Sequence, residues 1–134
     1  MKIKTSELAG PALDWATGVA GGTPRLHVVH KTGKVCVYST LQMPSGDLLD
    51  WPVQPSTDWS QGGPLIEREC IFIAPTWDGE NAGSSARASR TAWIEGPTPL
   101  IAAMRCFVAS KLGDEIDIPE ELSIIPPLQN TQTK

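Results

Sequence analysis

The sequence predicts an α+β domain: a small antiparallel β-sheet packed against two helices (about 11–20 and 98–112), joined by two long Gly/Pro-rich loops. Three observations predict it. Twelve Gly and 12 Pro in 134 residues leave room for only a few uninterrupted elements, which excludes helical bundles and coiled coils. Two segments carry helix punctuation at their ends. The other apolar runs are short and rich in β-branched residues, the composition of strands. With 40% hydrophobic and 19% charged residues, wholesale disorder is excluded as well. Five of the few aromatic residues are Trp, and each needs a burial or a function to explain it.

Lys2-Ile3-Lys4-Thr5 alternates and predicts a short first strand. Pro11 suits the first turn of a helix, where its missing N–H is not needed. Leu8, Ala12, Trp15, Ala16 and Val19 then form a stripe at helical spacing until Gly21-Gly22. Arg25–Lys31 and Lys34–Thr40 flank Thr32-Gly33, a hairpin signature. Leu26, Val28 and His30 face one side, and Val35, Val37 and Ser39 another.

From Gln42 to Gly63 prolines and glycines break every pattern, predicting an ordered loop anchored by Leu48, Leu49, Trp51 and Trp59. Glu69–Ile73 and Thr91–Glu95 predict strands, separated by a Gly/Ser/Ala-rich loop over Thr76–Arg90. The clearest element follows. Thr98 is a good N-cap, Pro99 a good first-turn residue and Gly113 a good stop. Leu100, Ile101, Met104, Phe107, Val108 and Leu112 make its apolar stripe, worth roughly 10 kcal/mol of burial before entropy. Residues 114–122 add a short edge with Ile116 and Ile118. The expected domain is 1–122, and 123–134 is expected to be a flexible polar tail.

The formal charge of −4, with basic residues scattered along the chain, disfavours non-specific nucleic-acid binding. Cys36, Cys70 and Cys106 are widely spaced in apolar runs, as buried thiols of a reducing cytoplasm are. No segment has the pattern of a leader or a membrane span, so no membrane partner is expected. His27 and His30 point to opposite faces of a strand and make a poor metal pair. No metal or cofactor is expected, and non-enzymatic binding is favoured over turnover.

Several segments are candidate ligand sites. Asp58, Trp59, Ser60, Gln61, Gly62, Gly63 and Arg68 combine polar side chains, a flat ring and a Gly-Gly-Pro turn. Glycines there would let a ligand approach backbone N–H groups, with Trp59 as a stacking face. The alternative is a tight Ω-type loop pinned by Trp59. Thr98 marks a helix N-terminus, either an anion site or a simple cap. Arg105 either holds an anionic group or pairs with an acid such as Glu67. Arg87 and Arg90 are either a closing pair over a phosphorylated ligand or solvated surface. Trp93, just before the last long helix, completes the set.

Three stretches carry a resemblance to a known family: Lys2–Leu8 with Gly10–Trp15, then Ser56–Glu69, then Gly96–Glu115. Together they resemble the NinX-like family of small phage and prophage proteins, over about residues 1–122. The resemblance implies a phage accessory role outside virion structure and replication, and no particular activity. Joined to the candidate sites, it gives the expectation of a cytoplasmic protein of the bacterial host cell. That protein would sequester a small nucleotide-like ligand, such as a host immune signal, as a homo-oligomer that deepens its pocket. The alternatives are an inhibitor that blocks another protein through a Trp-containing acidic face, and a small nucleotide-processing enzyme.

Overall fold

The computed structural model describes residues 2–77, 82–88 and 91–123. The two ends of this stretch are tied together. Strand β1 (Lys2–Lys4) pairs antiparallel with β8 (Glu115–Asp117), Ile3 opposite Ile116. A 3-10 turn over Thr5–Glu7 follows, where the Thr5 hydroxyl donates to Gly113 O at 2.6 Å and its N–H to Asp114 O at 2.7 Å. Thr5 is buried, so both polar groups need these partners.

Helix α1 (Gly10–Ala20) starts with Pro11 in its first turn, as predicted. Its inner face buries Ala12, Leu13, Ala16 and Thr17, with Leu8 beneath its start, while Val19 is 44% exposed and leaves the predicted stripe. Asp14 is also buried, and its carboxylate accepts the Ser56 N–H at 2.9 Å. Burial lifts its pKa from 3.8 to about 6, against the opposing pull of the neighbouring Ser56.

The strands form three small antiparallel sheets rather than one. The first is β1–β8. In the second, β2 (Leu26–Lys31) and β3 (Lys34–Gln42) make the predicted hairpin, and β4 (Leu48–Pro52) adds an edge. Thr32 and Gly33 both have positive φ (47° and 77°), the requirement of a two-residue type I′ turn. The register sets Leu26 opposite Ser39, Val28 opposite Val37 and His30 opposite Val35. These residues therefore share one face, because cross-strand partners point the same way. That face packs on α1, with Val37 and Ser39 buried.

The third sheet is a meander of β5 (Phe72–Trp77), β6 (Ala82–Arg87) and β7 (Ile94–Gly96). The expected strands at 69–73 and 91–95 thus each begin three residues later, at Phe72 and Ile94. Much of the expected loop over 76–90 is strand β6, whose small side chains Ser84, Ser85 and Ala86 are buried. Only small residues lie flat there against the helix above. The expected loop over 42–63 is likewise corrected, since it holds β4 and the start of a third helix, α2 (Trp59–Arg68). A short α4 (Glu120–Ser123) ends the described chain, and the expected tail beyond it lies outside the described residues.

Helix α3 (Pro99–Leu112) is the centre of the molecule. Thr98 caps it by accepting the Ile101 N–H at 3.1 Å, and Gly113 (φ 92°) ends it. Leu100, Ala102, Ala103, Met104, Cys106, Phe107 and Val108 are all buried, so α3 is covered nearly all round instead of along one stripe. It touches α1, α2, all three strands of the third sheet, β8 and the 3-10 turn. Leu112, at its solvent end, is 37% exposed. Of the three cysteines only Cys106 is buried; Cys36 is half-buried and Cys70, at φ 53° in the turn after α2, is exposed.

Candidate functional site

A cleft of about 820 Å³ opens where the third sheet meets α3 and the N-terminal turn. Its walls include Ser6, Trp77 at the end of β5, Gly83 near the start of β6, and Trp93 with Glu95 on either side of Ile94. Arg105 reaches it from α3. Gly83 and Gly96 hold the walls close. A Cβ on Gly96 would stand 2.7 Å from Ala102 N, and one on Gly83 would stand 3.0 Å from Thr76 Oγ1.

Arg105 is the one ionisable side chain between two runs of buried α3 residues. Its head is fixed by backbone: Nε donates to Leu8 O at 2.7 Å and Nη1 to Glu95 O at 2.8 Å. A guanidinium has five N–H groups, so three remain after these bonds. Burial lowers its pKa from the ordinary value, yet a guanidinium stays charged at any physiological pH. The cleft therefore offers a pre-oriented cation, the carboxylate-bearing Glu95, and two indoles that are 69% (Trp77) and 50% (Trp93) exposed. Such an arrangement suits flat rings and a small anionic group.

The other predicted site residues lie elsewhere. Asp58 is the N-cap of α2, accepting from Ser60 N–H at 2.9 Å and Ser60 Oγ at 2.6 Å. Gln61 clasps the preceding chain, accepting the Gln54 N–H at 2.8 Å and donating to Pro52 O at 2.9 Å. Gly62 and Gly63 are helical, which corrects both the expected anion nest and the Ω-type loop. The Gly62 N–H donates to Asp58 O, and a Cβ there would stand 2.5 Å from Leu100 Cδ1 and 2.6 Å from Pro55 O. Gly62 is thus the point where α2 presses on α3. Trp59 lies on α2, 55% exposed.

Arg68 pairs with Glu69 at 3.1 Å and sits over the Phe107 ring. Glu69 also meets Lys111 at 3.1 Å, and these two cations hold its carboxyl below the usual range. Thr98 Oγ1 is committed to the α3 cap. Arg87, opposite Phe72, is at the far end of β6 from Gly83, about 13 Å along the strand. Arg90 lies outside the described residues. The expected pairing of Arg105 with Glu67 is replaced by its bonds to the two carbonyls.

The cleft therefore joins two predicted residues, Trp93 and Arg105, to Trp77, Glu95 and Ser6, which the candidate set left out. Trp77 was signalled by the Trp excess, whereas Ser6 and Glu95 have no local signature.

The histidines stand apart from this cleft. His27 Nδ1 is 2.9 Å from Arg25 O, and His30 Nε2 is 3.1 Å from Glu121 Oε2 on α4. Among the described residues no group of three His, Cys, Asp or Glu side chains could hold a metal ion. No helix among them is long and apolar enough to cross a membrane.

The family model described as "Bacteriophage P22, NinX" matches residues 4–111. The chain belongs to the NinX phage protein family. Nothing among curated proteins matches it. The matched stretch takes in Ser6, Trp77, Trp93, Glu95 and Arg105, so the whole cleft lies within the family's extent, while β8 and α4 lie beyond it.

Proposed function

We propose that this NinX-family protein is a non-enzymatic phage accessory factor that captures a small nucleotide-like ligand in the cleft between Trp77, Trp93 and Arg105. One observation carries the reading: a half-buried arginine, held by Leu8 O and Glu95 O, stands in the cleft beside two exposed indoles. Exposing two tryptophans costs a folded protein burial energy, and a ring-binding surface accounts for them. The fixed guanidinium supplies the anion contact without paying to order a free side chain. Sequestration of a host immune signal, in counter-defence, is the role such capture would serve in a phage. Its setting would be the host cytoplasm. A homo-oligomer would enclose the open side of the cleft.

Thermal-shift and Trp-fluorescence titrations with nucleotides test the reading, and Arg105→Gln should weaken any binding at least tenfold. Recovery of unmodified ligand from the denatured complex distinguishes capture from turnover. A ligand returned in altered form would replace sequestration with a nucleotide-processing activity.

A second reading rests on β4, where every residue from Leu48 to Pro52 is exposed, Trp51 at 50%. An aromatic edge of this kind suits a protein partner. It predicts that Trp51→Ala, not Trp93→Ala, abolishes capture of one protein by the immobilised chain.

A further inference from the structure

The register of the second sheet fixes which backbone groups β4 leaves open. The Val53 N–H donates to Val37 O at 2.8 Å, and the Met43 N–H to Asp47 O at 2.8 Å. Both bonds join residues directly opposed when the β3–β4 register is continued by one position at either end. Hydrogen-bonded pairs alternate in an antiparallel ladder, so Leu49 and Trp51 also turn their backbone groups toward β3. Leu48, Asp50 and Pro52 turn theirs outward. Pro52 has no N–H, and its carbonyl accepts from Gln61 Nε2 at 2.9 Å. The N–H and C=O groups of Leu48 and Asp50 are left over, and among the described residues no backbone group pairs with them. Sheet edges are normally blunted by lysines, bulges or a covering segment. From Leu48 to Trp51 this edge has none of these: the register is unbroken and every residue is exposed.

The side chains give the open edge two different faces. Leu49 opposes Leu41 and Trp51 opposes Ser39, so these share one face. On that face lies a hollow of about 310 Å³ whose walls include Leu41, Trp51, Val53, Pro55 and Leu65. Thr17 and Ser39 also line it, but their hydroxyls donate to Leu13 O and Pro24 O. The hollow therefore offers mainly apolar contact, at the lower bound of roughly 300 Å³ for small-molecule sites. The other face carries Leu48 and Asp50. From residue 35 to residue 67 the chain has four carboxylates, Asp47, Asp50, Asp58 and Glu67, and no Lys or Arg. Complementarity to that stretch calls for a basic partner.

We infer that β4 accepts an extended segment of a partner protein as an added strand. The segment's main chain bonds to Leu48 and Asp50. Alternate residues are apolar and face Leu49, Trp51 and the hollow; those between them are Lys or Arg and face Asp50. This rests on the protein-partner reading of β4 and narrows it to a mode and a chemistry, and it does not require capture in the cleft.

Selection of a displayed library of random decapeptides on the immobilised full chain tests it. The expected result is enrichment of peptides that alternate apolar residues with Lys or Arg. Their affinity should fall at least tenfold on Leu48→Pro and on Trp51→Ala. Leu48→Ala, which removes the same side chain and keeps the N–H, should cost less than threefold. Leu48→Pro should melt within a few degrees of Leu48→Ala, because that N–H faces away from β3. Synthetic copies of the enriched peptide probe the same bonds from the partner's side. N-methylation of one alternate set of residues should cost at least tenfold, and of the other set little. Peptides that need Trp51 but bind Leu48→Pro and Leu48→Ala alike, or tolerate both methylated sets, overturn strand addition and leave an aromatic docking face standing. Enrichment of acidic sequences overturns the charge assignment. Failure to enrich any Trp51-dependent peptide overturns the protein-partner reading of β4 itself.

Discussion

Two tryptophan-bearing regions, α2 with its cap and the cleft below the third sheet, use similar residue types for opposite ends. In Asp58–Arg68 the polar side chains are turned inward on the chain: Asp58 on Ser60, Gln61 on Gln54 and Pro52, Arg68 on Glu69. Its glycines make room for Leu100. In the cleft, residues from four separate parts of the chain converge, and Arg105 keeps donors to spare after its structural bonds are made. The difference teaches that a compact polar motif in sequence can be consumed by its own local folding. A binding surface is marked instead by hydrogen-bonding capacity left over.

The largest expected effect tests the packing half of this contrast. Gly62→Ala should destabilise by about 2–3 kcal/mol, because Pro55 O is backbone and cannot rotate away from the new methyl. Urea unfolding measures it, and a loss under about 0.5 kcal/mol would show that α2 does not press on α3 as described.

A second effect of similar size concerns Asp14, whose buried carboxyl anchors the segment leading into α2. Its folded pKa of about 6 exceeds the ordinary 3.8, so the folded state binds the proton more tightly than the unfolded one. Its contribution to stability is fully present below about pH 3.8 and is lost as pH rises through about 6, a swing of about 3 kcal/mol. Asp14→Asn keeps an acceptor for the Ser56 N–H and can donate to Ser56 Oγ, which is buried without a hydrogen-bond partner. The variant should therefore gain up to about 3 kcal/mol at pH 8, an advantage that disappears below pH 4. Matched unfolding curves at the two pH values decide it; a constant difference would mean that Asp14 does not titrate as stated.

Smaller effects separate the two tryptophan regions directly. Trp93→Ala should cost about 1.4 kcal/mol of ligand affinity, a tenfold loss, with little change in melting. Trp59→Ala should change stability by less than about 0.5 kcal/mol, as exposed substitutions do, and nucleotide affinity less than threefold. A reversed ranking in calorimetry would return the site to α2.

The elements legible in sequence were those with punctuation at both ends. Pro11 with Gly21-Gly22 marks α1, Thr98-Pro99 with Gly113 marks α3, and Thr32-Gly33 marks the hairpin. Helix α2 was hidden because Gly62-Gly63-Pro64 opposes a helix by roughly 1 kcal/mol per glycine and about 3 kcal/mol for proline. Tertiary contact reverses that preference, since Gly62 alone fits beneath Leu100 and Asp58 supplies the cap. Strand β6 was hidden for a related reason: Ala82–Arg87 has small, weakly β-forming residues that only their place under α3 makes useful. In the site, Trp93 and Arg105 stood out by type. Ser6 and Glu95 are defined only by where the chain returns, which local patterns do not encode.

The clasp between the ends of the described chain bears on how the protein is made. Thr5 finds its partner at Gly113, 108 residues later, and β1 waits for β8 beyond that. At a synthesis rate of roughly 5–20 residues per second, the nascent chain spends about 5–20 s before the clasp can form. During that interval Leu8 and the inner face of α1 lack α3 to cover them. The ribosome must therefore deliver almost the whole domain before its first strand has anything to hold.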